Sequence, residues 1–304
     1  MTTSGSTNYA VTRDEIITEA LEIVGAIANG DTPDANDVTS AARTLNMMIK
    51  HWQSRGVALW KTQELYVPLI VNRQYYNLGP SGDPATASIV KTEVATAASS
   101  GATTLVVDSI SGISASDNIG IELDGGDLQW TTVSGAPSGS TITLAAALTD
   151  DVSVDAWVLT YTTGISRPLF ITDASFYNAS GVEIPMRGEG RLNVPTYTTT
   201  GPATIWNYDP QLTNGKLRVW PYAASVQGYL VLTARMPLED FDASTDNPDF
   251  PQEWLLPLAW NLAVLIAPKF NEQLSPAVIS MAGQFLADAM DSAVDSGSII
   301  FEME

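Results

Sequence analysis

Apolar residues recur every three or four positions at both ends of this chain and every second position through its middle. That switch restricts it to helices flanking a β-rich centre. Thr12 opens the first helical stretch as a capping box, its hydroxyl placed to accept from the Glu15 N–H while the Glu15 carboxylate reaches back. Ile16, Ile17, Ala20, Leu21, Val24 and Ile27 make one apolar stripe, and Asn29-Gly30 supplies a left-handed stop. Asp34 caps a second helix with the stripe Val38, Ala41, Leu45, Met48, Ile49 and Trp52, ending at Gly56. The short loop predicts an antiparallel helical hairpin whose remaining apolar surface needs a further partner.

From Leu65 the period becomes two. Leu65, Val67, Leu69 and Val71 lead to a turn near Asn72-Arg73 and a return through Tyr75, Tyr76 and Leu78, which reads as a β-hairpin. Gly79-Pro-Ser-Gly-Asp-Pro84 breaks the pattern. Residues 85–163 are rich in Ala, Ser, Thr and Gly, with short strands near 104–107, 118–123, 128–133, 141–144 and 156–161; Asp124-Gly125-Gly126-Asp127 reads as a hairpin turn. Lys91 is the one basic side chain there against Glu93, Asp108, Asp117, Glu122, Asp124, Asp127, Asp150, Asp151 and Asp155. This segment reads as an inserted small β-sandwich or barrel. Further strands follow through Arg167 to Thr172, Thr204 to Asp209, a hairpin over Leu212 to Pro221 at Asn214-Gly215, and Gly228 to Ala234. The loop from Asp240 to Asp249 precedes two more helices, one over 252–269 and one opening at Ser275-Pro276, with the stripe Val278, Ile279, Ala282, Phe285, Leu286, Ala289, Met290 and Ala293, and ending at Gly297.

The expected fold is therefore α+β: a four-helix bundle from N- and C-terminal helical pairs plus a β domain, with the inserted β unit. At roughly 150 residues per domain, 304 residues suit about two domains. The expected boundaries are a flexible arm at 1–11, a core at 12–84 and 164–296, the insertion at 85–163 and a tail at 297–304. Residues 1–8 lack the basic and apolar regions of a secretory signal, so the chain is expected to stay where it is made. The longest apolar stretch, Leu255 to Ala267, is interrupted by Pro257 and Asn261 and falls short of the roughly 20 residues of a membrane span.

The residues carry no catalytic signature. There is no cysteine, so no disulfide framework or thiolate chemistry. His51, the one histidine, sits beside the stripe of the second helix, and no GxSxG elbow accompanies it. Arg187-Gly-Glu-Gly-Arg191 has two glycines only and makes no nucleotide loop. Asp240, Asp242, Asp246 and Asp249 lack EF-hand spacing and read as a solvated loop. No cofactor or metal is expected. A net charge of −20 repels nucleic acid from most of the surface, which argues against sequence-specific DNA binding and suits solubility. Ile299, Ile300, Phe301 and Met303 lie past the last helix stop, where a free end is normally polar. They are the candidate contact residues for a neighbouring subunit or partner.

Several motifs resemble the head-to-tail adaptors (connectors, tail accessory factors) of short-tailed bacteriophages. They are Ala20-Leu-Glu-Ile-Val-Gly25, Leu45-Asn46 with Trp52 and Gly56, Gly201-Pro-Ala-Thr, Tyr208-Asp-Pro, Gly215-Lys-Leu-Arg-Val-Trp-Pro221, and Pro251-Gln-Glu-Trp254 before an Ala/Leu-rich helix. The resemblance covers most of the chain outside 85–163, and its motifs are loose. It implies a non-enzymatic virion protein at the head–tail junction, assembled in the host bacterial cytoplasm as a homo-oligomeric ring, commonly twelvefold. Its implied partners are the portal protein and a tail hub or nozzle, with DNA passing through unbound by sequence and no membrane. It also implies that Ile299, Ile300, Phe301 and Met303 reach the portal. Two other readings stand beside it. One is a tail-associated peptidoglycan hydrolase using two carboxylates; the other is a tail-fibre or carbohydrate-binding module, suggested by the Thr/Ser/Gly-rich strands with Trp130 and Trp157.

Overall fold

The computed structural model describes residue 5, residues 9–56 and residues 61–292. Its contacts divide the chain into a helical unit (residues 1–61 and 238–304) and a β unit (residues 62–237).

In the helical unit, α1 (Arg13–Val24) starts on the Thr12 capping box and ends at Gly25, a turn earlier than Asn29-Gly30 suggests. Gly25 takes φ 84° and returns its N–H to the carbonyls of Leu21 and Glu22, closing the helix. Asp34 caps α2 (Ala35–Ser54) by accepting from the Asn36 N–H. After a 3-10 turn at Gln252–Trp254 come α3 (Leu255–Ile266) and α4 (Pro276–Ser292). The Ser275 hydroxyl accepts from the Val278 N–H at the start of α4. α3 is apolar on most sides because α1, α2 and α4 all pack on it. Trp254 is 1% exposed and lies between Trp52 and Phe250, with ring centroids at 5.8 and 5.9 Å.

The 238–249 loop is tied to this unit by the sequence of α2. The Asn46 amide donates to the Phe241 carbonyl (3.1 Å) and accepts from its N–H (3.0 Å), and Lys50 Nζ donates to the Leu238 carbonyl. Arg13 returns its N–H to the Asp246 carbonyl.

The β unit contains two sheets. One runs β1 (Thr62–Pro68), β13 (Gly228–Arg235), β9 (Phe170–Asn178), β10 (Glu183–Gly188), β11 (Ile205–Asp209), β12 (Gly215–Trp220), β2 (Tyr75–Leu78), antiparallel except for β10 with β11. Its buried face is Leu65, Val67, Tyr76, Leu78, Phe176, Leu217, Val219, Leu230 and Leu232. The other runs β6 (Leu128–Thr132), β5 (Asn118–Glu122), β8 (Trp157–Tyr161), β3 (Val90–Thr96), β4 (Thr104–Val107), β7 (Thr141–Thr143). Its core is Val94, Leu105, Val107, Ile119, Ile121, Ile142 and Val158.

This architecture overturns the expected fold class. Among the described residues, four helices accompany thirteen strands in two curled half-barrel sheets, so the chain is mostly β and is not a four-helix bundle carrying a small β-sandwich or barrel. Two physical reasons account for the difference. α4 fully buries only Ala282 and Ala289 and packs mainly on α3, where Phe285 meets Trp260 edge-on, while Ile279, Met281 and Met290 stay in solvent and no four-helix bundle closes. The strands of 85–163 form one curled six-stranded sheet in the same compact β unit as the seven-stranded sheet, so they are not a small unit inserted into a helical host.

The expected hairpin of β1 with β2 does not form either. β1 pairs with β13 and β2 with β12, at opposite edges of the seven-stranded sheet. Only residues 69–74 connect them, and the seven steps from Pro68 to Tyr75 span at most about 25 Å. Seven strands spaced at about 4.8 Å would cover about 29 Å if flat, so the sheet must curl for this link to close.

Candidate interaction surfaces

The helical unit leaves large apolar side chains in solvent: Met47, Leu256, Leu265, Ile279, Met281 and Met290 are 57%, 49%, 48%, 50%, 41% and 37% exposed. Two separate grooves take in three of them, Leu256 in one and Met47 and Leu265 in the other. One, between α1 and α3, is lined by Val11, Ile16, Leu255, Leu256 and Ala259 with Glu15 and Glu19. The other, between α2 and α3, is lined by Met47, Met48, Trp52, Val264 and Leu265 with His51 and Arg55. The first groove thus carries carboxylates and the second basic side chains. His51 is exposed and belongs to this second groove.

The acidic loop and the six-stranded sheet use many of their carboxylates locally. Asp246 accepts from the N–H groups of Asp242 and Ala243, Asp240 pairs with Lys50 at 2.6 Å, and Asp249 pairs with Lys61 at 2.5 Å. Asp124 accepts from the Ser153 N–H and Asp151 from the Ser100 N–H, while buried Asp117 accepts from the Ser114 N–H. These bonds fold turns. Among the described residues no group of three or more His, Asp or Glu is placed to hold a metal ion, and no helix is long and apolar enough to cross a membrane. Trp157 is buried beneath the Lys91 ammonium, 3.7 Å from its ring centroid, and half-buried Trp130 lies over Gly120. The contact residues Ile299, Ile300, Phe301 and Met303 lie outside the described residues.

A surface that the sequence pattern does not single out occupies the outer face of the seven-stranded sheet. In β13 the odd positions Tyr229, Val231, Thr233 and Arg235 turn away from the core while Leu230, Leu232 and Ala234 are buried. Register then sets Tyr229 opposite Tyr177 of β9, and Tyr177 opposite Glu183 of β10. The Tyr177 and Tyr229 rings stack with centroids 5.0 Å apart and planes at 6°, and Tyr66 of β1 meets Tyr229 edge-on at 5.6 Å. Around them the Tyr66 hydroxyl donates to Glu64 (3.3 Å) and the Ser175 hydroxyl donates to Glu183 (2.6 Å). Burial, and then the Glu64 carboxylate, pushes the Tyr66 phenol above its ordinary pKa; burial, and then Tyr177, does the same to Tyr229. Both phenols therefore remain neutral donors at physiological pH. These residues come from four strands spread over 64–229, which is why no local motif announces them. The available signal was their shared position on the solvent side of alternating strands.

No protein-family model matches the chain, and no curated protein does. Among solved structures, the Gp54 tailspike of Acinetobacter baumannii bacteriophage AP22, in complex with A. baumannii capsular saccharide, is similar at 17% identity with a TM-score of 0.23. The match covers 26% of this chain and 16% of that chain, and a fit of that extent establishes no shared fold.

Proposed function

We propose that this chain is a non-enzymatic structural subunit of a bacteriophage virion, a head-to-tail adaptor that assembles into a ring between portal and tail. The observation that carries this reading is the pair of unfilled apolar grooves on the helical unit, with Leu256 and Leu265 about half exposed. Exposed apolar patches rimmed by polar residues mark association surfaces. Two different patches on one subunit suit a heterologous contact, in which one face meets another, and such contacts generate closed rings when the rotation closes. The charges agree: Glu15 and Glu19 border one groove and Arg55 the other, so a head-to-tail contact pairs opposite signs. The motifs shared with short-tailed phage adaptors supply the location. The net charge of −20 then acts against DNA sticking in the channel. In this reading the tail bearing Ile299, Ile300, Phe301 and Met303 reaches the portal.

The test is negative-stain imaging and sedimentation velocity of the full chain, alone and with the portal protein of the same virion. The expected result is a ring with a central hole, weakened by Leu256→Glu and by Leu265→Glu. A chain that stays monomeric at about 100 μM and ignores portal overturns the proposal. Clearing of a peptidoglycan zymogram that is lost on a single carboxylate replacement would replace it with the hydrolase reading.

A further inference from the structure

We propose that the outer face of β1, β13, β9 and β10 is a binding site for a neutral polysaccharide, with Tyr177 as the stacking ring and Tyr66, Tyr229, Glu64 and Glu183 as hydroxyl partners. This goes beyond the ring, and uses none of the helical surfaces assigned to it.

A stacked cross-strand tyrosine pair stabilises a sheet by itself, by an order of 0.5–1.5 kcal/mol. Here the arrangement does more. Tyr229 has ring neighbours on both sides, Tyr177 parallel to it and Tyr66 edge-on, whereas half-buried Tyr177 has one ring neighbour and Glu183 of β10 across from its other side. A pyranose presents an apolar C–H face ringed by hydroxyls that both donate and accept. An aromatic face flanked by phenol donors and carboxylate acceptors complements both features. Glu64 and Glu183 are exposed carboxylates that each hold a hydroxyl of a neighbouring side chain, so the acceptors are already oriented. Three strand spacings from β1 to β10 give a width of about 14 Å, enough for a short run of linked sugar rings.

The same chemistry selects among ligands. Glu64, Glu183 and the exposed Asp173 repel uronic and sialic acids, so the fitting sugars are neutral or carry an amino group.

The chain's negative charge provides the assay, because it migrates in a native gel while a neutral polysaccharide cast into that gel does not. Dextran, mannan, galactan and laminarin are the neutral probes, with alginate and hyaluronan as acidic ones. Retardation by at least one neutral polysaccharide is expected, with less by the acidic two. Tyr177→Ala should weaken it at least tenfold, and Tyr177→Phe, which keeps the ring, no more than about threefold, at unchanged far-UV circular dichroism. Glu183→Gln should admit acidic polysaccharide. Absence of retardation by every neutral probe, or retardation that survives both Tyr177→Ala and Tyr229→Ala, overturns the site whether or not rings form.

Discussion

Replacing Asn46 by Ala cuts the side-chain bonds that join α2 to the loop carrying Phe241. Two neutral hydrogen bonds disappear, at 3.1 and 3.0 Å, and a backbone N–H and a backbone carbonyl both lose their partner. At about 0.5–1.5 kcal/mol each the loss is about 1–3 kcal/mol, and the half-buried position of Asn46, where water can replace part of it, places it near 1–2 kcal/mol. Phe241 is 5% exposed in the helical core, so loosening it also loosens the contacts around Trp254. The measurement is urea unfolding followed by circular dichroism at 222 nm, which isolates this unit because all four described α-helices belong to it and a two-unit chain need not unfold in one step. With a slope of about 2 kcal/mol per molar urea, the helical midpoint should fall by about 0.5–1 M. Asn46→Asp can still accept from the Phe241 N–H but sets a carboxylate against the carbonyl, so it should be no better than Ala. A midpoint unmoved by Asn46→Ala, or an Asp variant equal to the native chain, refutes the clamp.

Gly120→Ala brings a Cβ within 2.7 Å of the Trp130 ring, and strain of this kind costs about 1–3 kcal/mol; weaker hydrogen-exchange protection of the amides of the six-stranded sheet is expected, and unchanged protection refutes the clash. Burial pushes the Tyr76 phenol up to about 12, against about 10 in the unfolded chain. A raised folded pKa gives stability that is complete below pH 10 and lost as pH rises from about 10 to 12. Tyr76→Phe should therefore flatten part of the alkaline fall in the urea midpoint, while costing the bond from the Ile70 N–H; an equally steep fall refutes this. Deleting Gly297 to Glu304 should leave a folded subunit that no longer joins portal particles, and undiminished pull-down would refute that role for the tail.

Sequence alone was a good guide wherever structure depends on neighbours in the chain. The Thr12–Glu15 capping box, the Asp34 cap and the Asp124–Asp127 turn need only residues a few positions apart, and their side-chain chemistry specifies them. It failed where two local signals competed. Gly25 and Gly30 both take positive φ, and the first to satisfy the Leu21 and Glu22 carbonyls ends the helix.

Strand partners and exposed faces were decided by the tertiary structure. The alternation in β1 and β2 told which residues face inward, and nothing in residues 65–78 told that β13 and β12, more than 130 positions later, would outcompete a hairpin. Period two sets a side-chain face, whereas pairing depends on which distant strand completes the core. The same holds for the apolar grooves and the tyrosine face. The stripe of α4 was legible, but only packing revealed that Ile279 and Met290 stay outside it, and only register brought Tyr66, Tyr177 and Tyr229 together.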